Sequence, residues 1–451
     1  MRKFFVSMGL AAAGTASLQA AYAPDLGPLS STKIWNVSAT LRGFYDDNYN
    51  TANSNVRGSY GFELSPQIML AVPLQQTELG LRNTYGMTYY EDRSNQGQDP
   101  IDQSDQLDLW VDHAFTERWQ GKMMDTFVVG QEPQLLNPNS APGALPYRVD
   151  GNNVANTGTL TLNTDWTRLF STSLNYQNAF ADYQNSGATQ QQIFDNYFGL
   201  PYNGAPAAGA SLAGSLNRID QTVSLDLQWH VAPETVAFVG GAFEWVNYYG
   251  NEPIAYSPQL GAQTGNFFYY SQSRNYRSYF GYVGAQHNFL SNLNASAKVG
   301  VQYSDFYNDP LGSPSTTPYA VVSVIYTYLP GDYVELGLNQ MQNSTDVVNV
   351  NTSNGKITQN QESTYLYGSI NHQITPKLLG TLIGSWQYSS YTQGAYNNEA
   401  DNFYSLGLNF SYAFTPHFSA DAGYNYDDLQ SNIPGRPYSR NRVYIGVTAT
   451  Y

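Results

Sequence analysis

Two adjacent carboxylates and an amide, Asp46, Asp47 and Asn48, follow Tyr45 at the end of an alternating stretch that opens at Trp35. Oxygen donors of this kind could hold a hard cation such as Ca²⁺ or Mg²⁺, which takes several oxygen ligands. The spaced ligand series of a dedicated loop is missing, so an Asx-type turn capping a strand is the better reading, and no metal is expected. Other chemistry-bearing residues are scattered. The five histidines, His113, His230, His287, His372 and His417, show no metal-ligand spacing. No Gly-x-Ser-x-Gly elbow and no Gly-x₄-Gly-Lys-Ser/Thr phosphate loop occurs. A barrel lipase could assemble Ser and His on its outer face without a local motif, but no residue pattern favours it. Neither an enzyme nor a cofactor is expected.

What remains is charge set into alternating runs. Arg42, Asp108, Asp112, Asp125, Asp226, Asp421 and Asp427 fall on the polar faces of such runs, with Arg82 and Lys298 as further candidates. Acids and bases opposed across a water-filled interior create a transverse field, and an acidic excess draws cations. These residues are therefore the lumen and selectivity candidates. The competing reading is that they only solvate the interior or pair across it.

The elements that must position them are strands. Period-two alternation recurs to the end of the chain, and helical spacing does not. In 402–414, Tyr404, Leu406, Leu408, Phe410, Tyr412 and Phe414 share one face and Ser405, Gly407, Asn409, Ser411 and Ala413 the other. The runs 218–231 and 418–430 are as regular. Short Pro/Gly connections, such as Leu329-Pro330-Gly331-Asp332 and Thr415-Pro416-His417, alternate with long Asn/Gln/Ser/Gly-rich ones at 91–104, 132–155, 184–217, 249–273 and 345–361. Segregated loop lengths and an even strand number are the pattern of an outer-membrane barrel. Aromatic residues near run ends, among them Tyr45, Tyr89, Tyr90, Trp110, Trp166, Trp229, Tyr269, Tyr270, Tyr388, Tyr412 and Tyr426, suggest two interfacial girdles. The expected fold is all-β, a single closed antiparallel transmembrane barrel of about 18 strands (range 16–20), with short periplasmic turns and long extracellular loops. A soluble β-sandwich protein is the contrasting class, and it would not need to segregate its loops.

Composition agrees with this. Only 12% of residues are charged, and 38 of 451 are Tyr. Lys+Arg total 20 against 35 Asp+Glu, a net charge of −15 that argues against a nucleic-acid partner. Cysteine is absent, so a disulfide framework is excluded. Residues 1–20 read as a signal peptide, with Arg2 and Lys3 ahead of an apolar stretch and small residues up to Ala20; cleavage after Ala23 is a less attractive second choice. Residues 21–33 read as a short periplasmic leader and 34–451 as the barrel.

The stretches LRGFYDDNYN, GSYGFELSPQIMLAVPLQQTELGLRNTYGMTYYED and DQLDLWVDHAFTERWQGKMMDTFVVGQE resemble the putative beta-barrel porin 2 family, whose members look like exported outer-membrane barrels. Tyr45, Asp46, Asp47 and Asn48 stand where that family opens with a Tyr-Asp-Asp-Asn signature. The resemblance covers about the first third of the chain specifically; the rest matches as a barrel pattern. It implies a pore and carries over no catalytic residue. Tyr451, an aromatic end to an amphipathic last run, resembles the signal read by the barrel assembly machinery.

Two function classes follow. One is a porin-like channel for passive diffusion of small hydrophilic solutes, mildly cation-preferring. The other is a barrel tied to polysaccharide export or glycan binding, with a partly plugged lumen. Expected partners are outer-membrane lipid and lipopolysaccharide, the assembly machinery and the solutes; a homo-oligomer is compatible with the pattern.

Overall fold

The computed structural model describes residues 34–131, 153–184, 189–200 and 211–451. The expected signal peptide and leader lie outside them. Eighteen strands form one antiparallel sheet that closes on itself. They are β1 (Trp35–Asp46), β2 (Ser59–Pro73), β3 (Thr77–Tyr90), β4 (Ile101–Ala114), β5 (Trp119–Gly130), β6 (Asn153–Asp165), β7 (Phe170–Tyr183), β8 (Arg218–Ala232) and β9 (Thr235–Tyr248). After a two-stranded loop hairpin of β10 (Pro253–Tyr256) and β11 (Phe268–Tyr270), the barrel continues. Its second half is β12 (Tyr276–Leu290), β13 (Leu293–Asp305), β14 (Ser315–Leu329), β15 (Asp332–Asn343), β16 (Thr358–Thr375), β17 (Leu378–Gln393), β18 (Ala400–Thr415), β19 (Phe418–Ser431) and β20 (Tyr438–Thr450). Each strand pairs with the next, β9 pairs with β12, and β20 returns to β1.

The two faces settle which kind of sheet this is. Along β20, Val443, Ile445 and Val447 point outward and are 49%, 69% and 40% exposed, whereas Arg440 and Arg442 point inward at 1% and 4%. Apolar side chains outside and charged ones inside invert the pattern of a soluble sandwich. Closure leaves no sheet edge, as hydrocarbon demands of backbone N–H and C=O groups. The protein is an outer-membrane β-barrel with a polar interior.

Outward aromatics form belts at both ends. Trp35 and Tyr451, Trp119 and Trp166, and Phe170 and Trp229 pair near the short turns at 5.4, 5.5 and 5.6 Å. Tyr45 with Tyr60, and Phe62 with Tyr89, pair near the long loops at 4.8 and 5.1 Å. Four residues expected in the girdles are placed elsewhere. Tyr90 is wholly buried inside the barrel, Trp110 lies against Gly80 on the inner wall, and Tyr269 and Tyr270 belong to the loop hairpin. Proximity to a run end does not tell which face a ring takes.

Candidate functional site: the barrel lumen

The inner wall around the closing seam is filled by ion pairs. Arg42 donates to Asp421 at 2.7 Å from two strands away, passing over Gly446 of β20. A Cβ at 446 would sit 2.4 Å from Arg42 Cγ, so glycine is what permits the contact. Arg42 and Arg442 flank Glu63 at 3.9 and 3.7 Å. Arg440 donates to Asp46 at 2.8 Å, and its register partner across β19 is Asp427. All of these side chains are nearly excluded from solvent.

The Tyr-Asp-Asp-Asn step is part of the same seam. Tyr45 points outward onto Tyr60. Asp47 accepts from the backbone N–H and the side-chain amide of Asn441, both at 2.7 Å. Asn48 donates to the carbonyls of Ala52 and Ser439, and its own N–H donates to Asp46. The acids thus cap a strand and clip the first loop to the last strand. At the other end of the seam, Tyr451 exchanges both backbone hydrogen bonds with Val37, at 2.8 and 3.2 Å. Among the described residues no group of three His, Asp or Glu side chains could hold a metal ion.

The remaining lumen candidates lie along the β3–β9 wall and at β13. Arg82 donates to Asp108 at 3.0 Å, and Gln106 and Thr126 donate to the same carboxylate. Lys122 meets Asp112 at 2.9 Å with both side chains about two-fifths exposed, so this pair stands in open lumen. Asp226 accepts from Lys298 at 2.9 Å and from the Tyr282 hydroxyl at 2.7 Å. Asp125 is a correction. Its register partners are Leu109 and Gly158, on the face of the exposed Met123 and Leu160, so it points outward and takes a hydrogen bond from Asn156. Both faces of β5 mix polar and apolar residues, and only register separates them.

Long-loop segments pack into a cap with a core of its own. Ile254, Ala255, Leu260, Tyr269, Val350 and Ile357 are buried together, with Tyr197 and Leu311 against them. The wholly buried Arg274 ties this cap by donating to the carbonyls of Ser215, Thr345 and Gln359 at 2.7, 2.6 and 3.2 Å. Burial pulls its guanidinium below the usual arginine value. Arg436 bonds Asp346 and, at 2.9 Å, Asp401, joining the last loop to the same assembly.

Sequence reasoning missed Glu63, Arg274, Arg440 and Arg442. The alternation of Arg440 and Arg442 in the last strand was a readable signal for two of them. Arg274 had none, because its partners are backbone carbonyls distant in sequence.

Among solved structures, OccK11 (OpdR) of Pseudomonas aeruginosa aligns at 12% identity and TM-score 0.40, covering 92% of this chain and 96% of that one. The outer membrane protein opdK of Pseudomonas aeruginosa aligns at 9% identity and TM-score 0.42, with coverages of 92% and 99%. OccAB3 of Acinetobacter baumannii gives 11% identity, TM-score 0.41 and coverages of 92% and 99%. The barrel assignment itself rests on the register above. A comparison with curated proteins returns no match. The motifs that suggest a family lie in the first third of the chain, whereas the family match falls at the other end. The model of the putative beta-barrel porin 2 family matches residues 270–451, from the end of the loop hairpin through the last strand, and this is the family to which the sequence pattern pointed.

Proposed function

We propose that this barrel is a passive channel for small hydrophilic solutes across the outer membrane, doing no covalent chemistry. The observation that carries the reading is the inner face of β6–β8. There Thr161, Asn175, Gln177, Thr222, Ser224 and Gln228 point inward and remain partly exposed, which is a wet wall. The net charge of −15 favours a mild preference for cations, kept small because the acids at Asp108, Asp112, Asp226 and Asp421 each have a basic partner within 3.0 Å. Planar-bilayer recording of the refolded protein tests this. Stable conductance steps in KCl are the expected result, and a folded barrel that never conducts would rule the channel out.

A second reading, a partly plugged barrel tied to polysaccharide export or glycan binding, draws on the loop cap and its Arg274 tie. It predicts silence from the intact protein and conductance after the cap is loosened.

A further inference from the structure

The seam wall is packed solid, so the wet wall is where solute chemistry must be sought. One lateral row of hydrogen-bonded strands runs Asn163, Ser173, Asp226, Gly240, Tyr282, Gly300, Tyr319. A Cβ at Gly240 would meet the Tyr282 ring at 2.4 Å and Asp226 Oδ1 at 2.3 Å. The ring therefore lies flat along the wall and reaches the carboxylate. One row toward the short turns, Ser171 and Gln228 precede Phe238, whose ring lies against Gly284 in the same way. Lys298 stands over both rings, 5.4 Å from Phe238 and 4.8 Å from Tyr282, and bonds Asp226. Phe238 and Tyr319 remain partly exposed on this wall.

We infer that this stretch is a recognition track for neutral polyhydroxylated solutes, the chemistry of a monosaccharide or polyol. The partly exposed rings of Phe238 and Tyr319 offer an apolar surface to the C–H face of such a molecule, while Tyr282, 5% exposed beneath Lys298, forms the wall between them. The hydroxyls, amides and the Asp226 carboxylate beside them offer donors and acceptors to its hydroxyl groups. A charged solute gains little here, because the carboxylate is already matched by an ammonium group at 2.9 Å and so presents little net field. The same holds at the short-turn end, where Lys122 matches Asp112.

This inference rests on the channel reading, and one experiment separates their failures. The refolded full chain is placed in liposomes, and swelling is followed in glucose, gluconate and glucosamine, which are alike in size and differ in charge. Glucose should enter faster than either ion by roughly fivefold, the factor expected for about one extra net hydrogen bond. Glucose should also produce a saturable reduction of KCl current. Phe238→Ala and, independently, Gln228→Leu should lower the glucose-to-gluconate ratio. Two variants are used so that misfolding of one does not decide the matter. Equal rates for the three solutes, or faster entry of an ion, in a barrel that conducts KCl would overturn the track and leave the channel standing. Absence of KCl conductance would overturn both.

Discussion

At the scale of single residues, the interior is organised by a few glycines that let long side chains cross a strand. Gly446 is the sharpest case, since any Cβ there collides with Arg42 on its way to Asp421. Gly446→Ala should lower stability by about 1–3 kcal/mol, the usual range when a buried contact network is broken. Gly43→Ala, on the outer face with nothing within 4 Å of the new methyl, is the control and should be near neutral. Urea titration in detergent micelles reads both. Asp125 poses the opposite case, a carboxylate on the face that carries Met123 and Leu160. A charge near the middle of a lipid-facing strand costs stability, less for Asp than for Arg or Lys. Asp125→Leu should therefore stabilise the isolated barrel by about 1 kcal/mol in lipid vesicles; a loss of stability would show that the carboxylate has a favourable role there.

At the scale of elements, the strands were legible and the cap was not. Period-two alternation is a local property, so each expected run found its strand, including the change of direction at every Pro/Gly turn. The hairpin Pro253–Tyr256/Phe268–Tyr270 and the Gln190–Tyr197 helix lie in segments read as loops, because such short elements carry little periodicity of their own. Their order comes from the shared core around Tyr269 and Ile357 and from the buried Arg274, contacts that join residues far apart in sequence. Arg274→Ala removes three charge-assisted hydrogen bonds and leaves three carbonyls without their donor. It should weaken the cap by about 3 kcal/mol or more, seen as faster protease cleavage of the long loops and larger conductance steps, with the barrel itself still closed. Asp309 adds a pH dependence. Burial raises its carboxyl above the ordinary value, ahead of opposing hydrogen bonds from Leu311 and Gln359. A folded-state value above the unfolded one means that its contribution is fully present below the unfolded value and is lost as pH rises through the folded one. Loop protection should accordingly be greater at acid pH, and Asp309→Asn should flatten that dependence in the same protease assay.

At the scale of the whole molecule, the acidic residues offered as a cation filter that do face inward divide into two populations that only the closed barrel distinguishes. Asp421 and Asp427 lie in the packed seam, where together with Asp46 at the end of β1 they hold the first and last strands together, and Asp108 is as deeply buried against Arg82. Asp112 and Asp226 lie on the open side, each cancelled by a lysine. Composition counts these alike, since charge per residue carries no record of which wall is wet. Their consequences for transport differ. Removing a base from the seam leaves a buried carboxylate unmatched, so Arg42→Met should cost about 3–5 kcal/mol of stability, and should scarcely alter the ratio of potassium to chloride permeability. Lys298→Met leaves Asp226 unbalanced beside water, where a fixed negative charge concentrates cations and repels anions. Reversal potentials across a KCl gradient should then show potassium preference rising by roughly two- to fivefold over the parent barrel. If Lys298→Met and Arg42→Met shift selectivity equally, the division into a packed wall and a conducting wall is wrong, and the path of ions runs through the seam as well.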